Sequence, residues 1–163
     1  MSWETYVSTQ LINQPQADGT FIENVCEHAG IISHAGAPWA YSKDFAFQEY
    51  DTEIEITDTE KRTIHVNEMA NFLDSMANNG KTKKDGGIRI KGQKYMTGMY
   101  DSDTNICYLS KPGGGACIMK THQTFLVATW NGALKDSKGI PQNKGTCNGV
   151  VEKLGTFLMA SSY

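Results

Sequence analysis

Residues 87–130 read GIRIKGQKYMTGMYDSDTNICYLSKPGGGACIMKTHQTFLVATW, and apolar side chains alternate with polar ones between recurring turn residues. A period of two is typical of β-strands, and Gly, Pro, Asn and Asp are typical of the turns between them. The pattern predicts an antiparallel meander with strands at 88–90, 94–99, 106–110, 116–120 and 124–130. The last of these contains the unbroken apolar run FLVA at 125–128, which indicates a central strand covered on both faces.

A hairpin and three helices are predicted around this meander. Residues 29–34 and 39–42 flank the turn Gly36-Ala37-Pro38 and should pair as antiparallel strands. Apolar residues recur at the helical spacings of three and four in three segments, which are 2–12, 66–77 and 147–160. We therefore predict an α/β fold of the α+β type, with a central antiparallel sheet of about six or seven strands and helices on both faces.

The segment 44–60 holds seven acidic residues and no basic one. Ile54 alternates there with Glu53 and Glu55, so we predict an acidic surface insertion with a short edge strand. A calcium-binding loop is the alternative, but the required Asp-x-Asp-x-Asp-Gly spacing is missing.

The composition is that of one soluble domain spanning residues 1–163, with a mass of 18.0 kDa. The four cysteines form no C-x-x-C pair and no secretory or membrane signal is visible, so we expect reduced thiols and a cytoplasmic location. Residues 1–60 hold 11 acidic and one basic residue, whereas residues 61–163 hold 7 acidic and 14 basic residues. This asymmetry favours an acidic partner for the later part of the chain.

The residues do not predict catalysis or a cofactor. The segment 115–121 lacks the second glycine of a phosphate-binding loop and alternates like a strand. The four histidines are too dispersed for a metal site, although Cys26, His28 and His34 could be imagined as three ligands. Cys147 lacks a recognisable catalytic partner. We therefore expect neither enzymatic activity nor a bound metal.

Six segments of the chain together resemble the profilin family. They are MSWETYV at 1–7, Ile31-Ile32 with Trp39-Ala40, GQKYM at 92–96, Lys111 with the glycines at 113–115, Lys120-Thr121, and CNGVVEKLG at 147–155 with Phe157-Leu158. The resemblance covers nearly the whole chain. It implies a sheet between helices, with the first and last helices together on one face.

The resemblance also implies a surface that binds proline-rich segments of actin-elongation factors. Its residues correspond here to Trp3, Tyr6, Trp39, Phe157, Leu158 and Tyr163. A polyproline II helix is already ordered and loses little entropy on docking, and aromatic walls can accept its rings. This function requires that the two ends of the chain meet and leave indole and phenol groups uncovered.

A second surface, for monomeric actin, is implied at Lys94, Lys111, Lys144, Asn148, Glu152 and Lys153. The family further implies a cytoskeleton-associated monomer and possible binding of phosphoinositide headgroups. The sequence departs from the family pattern in the insertion at 44–60, in an extended loop at 131–145, and at Met99, where some relatives have arginine.

Three other functions stay open at this point. The first is a proline-binding module of the same fold with weak or lost actin binding, suggested by the insertion. The second is a small-molecule sensor or enzyme, which would require an interior pocket. The third, nucleic-acid binding, would use the lysines between 81 and 94, but only Tyr95 could stack on a base there, so we expect no nucleic-acid partner.

Overall fold

The computed structural model describes residues 1–82 and 84–163, and it confirms the predicted antiparallel sheet. The strands are β1 (Gln14–Pro15), β2 (Phe21–Ile22), β3 (His28–Ser33), β4 (Pro38–Tyr41), β5 (Glu49–Glu55), β6 (Lys61–Asn67), β7 (Ile88–Ile90), β8 (Gln93–Asp101), β9 (Ile106–Lys111), β10 (Gly114–Lys120) and β11 (Thr124–Asn131). The α-helices are α1 (Trp3–Tyr6), α2 (Glu68–Ala77) and α3 (Lys144–Ala160), and α1 continues as a π-helix at Val7–Ile12. Lys83, one of the lysines considered for nucleic-acid binding, lies outside the described residues.

The main sheet has seven strands in the order β4-β3-β11-β10-β9-β8-β7. The predicted central strand β11 lies between β3 and β10. Successive side chains of β11 point to opposite faces, so Leu126 and Ala128 enter one core whereas Phe125 and Val127 enter another. The first core is covered by the N-terminal helical segment and α3, and the second by α2. The helices at the two ends of the chain therefore share one face of the sheet.

The N-terminal helix differs from the single α-helix that the spacing predicts. Ser2 caps it by accepting a hydrogen bond from the backbone N–H of Thr5. The hydroxyl of Thr9 then donates to the carbonyl of Thr5 at 2.7 Å. Because this carbonyl would otherwise accept a backbone N–H one turn later, the side chain competes with the α-helical ladder. Residues Val7–Ile12 therefore form a wider π-helix, in which Val7 and Leu11 are still buried.

Helix α3 begins at Lys144, three residues before the predicted start. The side chain of Asn143 accepts a hydrogen bond from the backbone N–H of Thr146 at 2.9 Å. Asparagine is a favoured N-cap because its side-chain oxygen satisfies a free N–H of the first turn. The extended loop before α3 is anchored by the buried Gln142, which accepts from Asn131 N and donates to the Asn24 carbonyl.

The acidic segment 44–60 contains β5, which is longer than the predicted short edge strand. Strands β5 and β6 pair along their whole length in a two-stranded sheet separate from the main one. Val66 was expected to begin a helix, but it lies in β6 with a fully buried side chain. The helix begins at Glu68 instead, because Asn67 caps it by accepting from Ala70 N.

Glu68 is fully buried and joins this hairpin to the main sheet. One carboxylate oxygen accepts from Gln48 N and Lys91 N, both at 2.9 Å. The other accepts from the Tyr50 hydroxyl at 2.8 Å and from Gly92 N at 2.7 Å. A buried carboxylate is tolerated only when such donors replace water. Glu68 therefore fixes β5 against the turn between β7 and β8.

All four cysteines are buried free thiols. Among the described residues, the helices are all too short or too polar to cross a lipid bilayer.

Candidate ligand-binding surfaces

Five aromatic side chains meet around Trp3, and we call them the aromatic surface: Trp3, Tyr6, Trp39, Phe157 and Tyr163. The ring centroid of Trp3 lies 5.6 Å from that of Tyr6, 4.8 Å from Trp39 and 5.2 Å from Tyr163. Phe157 extends the group, with its ring 6.1 Å from that of Tyr6. These separations are in the range in which aromatic rings attract one another.

Packing below the aromatic surface explains why residues so distant in sequence converge. Val7 and Leu11 of the N-terminal segment lie in the same buried cluster as Leu154 and Leu158 of α3. Trp3 and Tyr6 lie on α1, directly before the N-terminal segment that holds Val7 and Leu11. Trp39 lies on the neighbouring edge strand β4, and Tyr163 follows α3. The core therefore holds the chain ends together and leaves the rings above it.

The rings are only partly covered. Phe157 is 52% exposed and Tyr163 is 40% exposed, and Trp3, Tyr6 and Trp39 are half-buried. Leu158, the sixth residue expected on this surface, is 1% exposed and belongs to the core. A ligand could not reach this side chain, so the expectation that Leu158 contacts the ligand is wrong. Leu158 instead supports the aromatic surface from the core below it. On a helix, adjacent residues point about 100° apart, which separates Leu158 from its exposed neighbour Phe157.

Gln123 holds the chain end against the aromatic surface, and the sequence analysis did not single it out. Its backbone N–H donates to the Tyr163 carbonyl at 2.7 Å, and its side-chain amide donates to the Ser162 carbonyl at 3.0 Å. The Tyr163 N–H also donates to the Leu158 carbonyl at 2.8 Å. These bonds fix the last residue although it follows the end of α3.

A shallow hollow continues the aromatic surface beyond Tyr6 and Phe157. It has a volume of about 240 Å³, and the two rings line it together with Met1, Gln10, Lys153 and Leu154. The structure thus brings Lys153, expected on the actin surface, to the edge of the aromatic surface.

Asn148 and Glu152 lie one helical turn apart on α3, and Glu152 contacts strand β9. The hydroxyl of Tyr108 donates to a Glu152 carboxylate oxygen at 3.2 Å. Burial, followed by this carboxylate, raises the pKa of Tyr108 to about 12. In the pairing of β8 with β9, Met99 lies opposite Tyr108 and Met96 opposite Ser110.

Met96 and Met99 are 71% and 55% exposed. Exposed methionines are adaptable apolar contacts, so this part of the sheet offers a surface for a protein partner. Residues three apart on a regular strand face opposite sides, but the register of β8 shifts between Thr97 and Met99. Met96 and Met99 therefore share the face turned away from the α2 core, and the spacing in the sequence does not predict this.

The structure does not gather the other lysines expected at this surface. Lys111 has its ammonium group 5.7 Å from the ring centroid of Tyr95, which belongs to the core under α2. It therefore points away from Glu152. Lys94 is exposed opposite Arg89 at the sheet edge, and Lys144 is exposed at the start of α3.

The profilin family model matches residues 1–163. The chain belongs to the profilin family. The resemblance is thereby confirmed over the full length.

Several profilins are similar to this chain along nearly their entire length. The profilin of Tetrahymena pyriformis is 35% identical over 162 residues, which is 99% of this chain and 98% of the relative. Profilin-A of Physarum polycephalum is 28% identical over 163 residues and is covered completely, as is this chain.

Solved profilins share the fold. Acanthamoeba castellanii profilin IA matches with a TM-score of 0.66 and 24% identity, covering 99% of this chain and 100% of that one. Mouse profilin IIa, solved in complex with a double repeat from the FH1 domain of mDia1, matches with a TM-score of 0.58 and 15% identity, with both chains covered completely.

Proposed function

We propose that this profilin is a non-catalytic adaptor that binds proline-rich segments at the aromatic surface and an actin monomer at a second surface, and so regulates filament assembly. The observation that carries the proposal is the convergence of five aromatic rings from both chain ends and β4, with Phe157 and Tyr163 exposed. Membership of the profilin family supports both activities.

The aromatic surface suits a proline-rich ligand for physical reasons. A polyproline II helix has three residues per turn and no internal hydrogen bonds, so its carbonyls remain free to accept bonds. The tilted and edge-on rings around Trp3 form walls between which proline rings can pack. The indole N–H of a tryptophan and the hydroxyl of a tyrosine can donate to the ligand's carbonyls. The solved complex of mouse profilin IIa with an FH1 repeat supports this assignment.

For actin we assign the surface formed by Asn148 and Glu152 of α3 together with Tyr108, Met96 and Met99 of the sheet. Lys94, exposed at the adjoining edge, and Lys144 would contribute charge at the rim, where charge mainly raises the association rate. Lys111 points to the other face of the sheet, and Lys153 borders the aromatic surface. We therefore give these two lysines no direct role in the actin contact.

The alternative is a profilin that binds proline-rich segments but has weak or lost actin binding. The hairpin of β5 and β6 and the methionine at position 99 motivate it, because both depart from the family pattern. Inhibition of pyrene-actin assembly by the purified protein would support the proposed adaptor, whereas unchanged assembly at excess protein would favour the alternative.

The two activities can be tested together by titrating polyproline and following tryptophan fluorescence, with and without monomeric actin. Trp3 and Trp39 lie in the aromatic surface, so ligand binding should change their emission. We expect saturable binding in both titrations, because the ligands occupy separate surfaces. Trp3→Ala should remove polyproline binding and leave actin binding intact, and loss of both would contradict separate surfaces.

We also infer from the family that the protein acts as a monomer in the cytoplasm, in association with the cytoskeleton. We also propose phosphoinositide headgroups as additional ligands, and co-sedimentation with phosphoinositide vesicles tests for them.

A further inference from the structure

A small polar cavity opens on the face of the main sheet that also carries α2. It has a volume of about 350 Å³, and its polar lining comes mainly from Glu27, His28, Lys91, Tyr95, Lys111 and Thr129. Tyr95 belongs to the core under α2, and the His28 ring stacks on Phe45 of the same core. The cavity is therefore separated by the sheet from α3 and from the aromatic surface.

Two buried polar atoms at this cavity have no hydrogen-bond partner among residues 1–82 and 84–163. They are Thr129 Oγ1 and His28 Nδ1. The two residues lie directly opposite each other in the pairing of β11 with β3, and Thr129 is only 3% exposed. Leaving such a group unpaired is unfavourable, so a polar ligand in the cavity would find binding groups that are already desolvated.

Lys91 adopts a backbone conformation that is unfavourable for lysine. It is the first of the two residues in the turn between β7 and β8, with φ of 49°, and Gly92 follows with φ of 78°. Turns of this kind favour Asn, Asp or Gly at the first position. Lys91 lines the cavity, so the strained turn places a cation there.

Lys111 supplies a second cation from the end of β9, with its ammonium group over the Tyr95 ring. Glu27 is the acidic residue of the lining, and its carboxylate lies 3.3 Å from His28 Nε2. The lining therefore combines two ammonium groups with one carboxylate, and the carboxylate lies against the imidazole.

We propose that this cavity binds a small phosphate monoester. The two ammonium groups and the Thr129 hydroxyl can each donate to one of the three acceptor oxygens of a phosphate monoester. A carboxylate has one charge and two oxygens and would satisfy fewer of these groups. Burial, followed by Lys91, lowers the pKa of His28. The ring is then neutral at pH 7, and with its proton on Nε2 toward Glu27, Nδ1 can accept from a ligand hydroxyl.

Glycerol 3-phosphate is a suitable probe because it combines a phosphate monoester with hydroxyl groups. Titration into the full-length protein, followed by amide NMR, should give saturable shifts at His28, Lys91 and Thr129. Lys91→Asn should weaken binding about tenfold or more, since it removes a charge-assisted contact. Asparagine suits the left-handed conformation at this turn, so the variant should remain folded. Lys120→Asn, at an exposed lysine of β10, is the matched control and should leave the affinity unchanged.

Thr129→Val provides a second variant that keeps the shape of the side chain and removes the hydroxyl, and it should also weaken binding. Absence of saturable shifts, shifts reproduced by glycerol alone, or an affinity equal to that of the wild-type protein in both cavity variants would overturn the proposal. Co-sedimentation with vesicles shows whether the phosphate group belongs to a lipid or to a soluble ester. Co-sedimentation with phosphoinositide vesicles that is lost in Lys91→Asn indicates a lipid headgroup, whereas binding of glycerol 3-phosphate without vesicle binding indicates a soluble ester.

Discussion

The carbonyl of Tyr163 accepts a hydrogen bond from the backbone N–H of Gln123 at 2.7 Å, and this bond ties the chain end to the turn between β10 and β11. Ser162, the residue between Tyr163 and the last turn of α3, has φ of 69°. Such a backbone is uncommon for serine and persists when its surroundings hold it. The hydrogen bond from Gln123, in the turn between β10 and β11, therefore helps to place the Tyr163 ring 5.2 Å from that of Trp3.

Gln123→Ala should weaken polyproline binding by about fivefold, because it removes one hydrogen bond worth about 1 kcal/mol from the chain end. The backbone bond to Tyr163 remains, so deletion of Tyr163 should have a larger effect. Tryptophan fluorescence titrations measure both. His122→Ala, at the adjacent exposed turn residue, is the control. If Gln123→Ala bound polyproline as tightly as the control, the side-chain contact to Ser162 would have no role in the aromatic surface.

Phe157→Ala and Leu158→Ala should separate binding from stability. Phe157 is 52% exposed, so its removal should lower polyproline affinity and leave the urea midpoint nearly unchanged. Leu158 is buried, and its truncation should cost about 2–5 kcal/mol of unfolding free energy. Under conditions in which Leu158→Ala is fully folded, it should retain polyproline binding. A folded Leu158→Ala with affinity as low as Phe157→Ala would show that Leu158 contacts the ligand after all.

Glu68→Ala should destabilise the protein by about 3 kcal/mol or more, because it removes the buried acceptor that four donors share. Urea unfolding measures the loss. Glu53→Ala, at an exposed carboxylate of β5, should change the free energy of unfolding by no more than about 0.5 kcal/mol. Similar losses in the two variants would mean that the hairpin does not depend on the buried carboxylate.

The sequence predicted the meander because a period of two repeats over five strands, and it predicted the neighbouring chain ends through the family resemblance. It did not predict where β6 ends and α2 begins, since Val66 and Met69 continue a helical spacing although Ile64 and Val66 alternate as in a strand. The spacing of the apolar residues around Glu68 does not indicate that its carboxylate is buried.

The partners of Glu68 lie in and just before β5 and in the turn after β7. Such long-range pairing leaves no local sequence pattern that would predict the buried carboxylate. The same is true of Gln123, whose partners are the last two residues of the chain. Leu158 could have been placed in the core, because it follows Val150, Val151 and Leu154 on one helical stripe.

The hairpin of β5 and β6 should become less stable as the pH rises above about 6.5, because of His65. Its ring nitrogens lie 3.0 Å from a Glu49 oxygen and 2.7 Å from an Asp51 oxygen. These hydrogen bonds, with Glu49 the larger influence, raise the pKa of His65 above its ordinary value of 6.5. A group whose pKa is raised on folding binds its proton more tightly in the folded state. Its contribution is therefore complete below about pH 6.5 and is lost as the pH rises through the folded-state pKa.

Hydrogen exchange of the backbone amides of β5 and β6, measured across this range, gives the local stability. Protection should fall with increasing pH after correction for the intrinsic exchange rate, and an NMR titration of His65 should give a midpoint above that of an unstructured peptide. His65→Gln should remove this pH dependence and leave the exchange of β10 and β11 unchanged, because the hairpin is a separate sheet. A His65 midpoint at or below that of the peptide would contradict the stabilising role of Glu49 and Asp51, since the carboxylates can raise the pKa only if they favour the protonated ring.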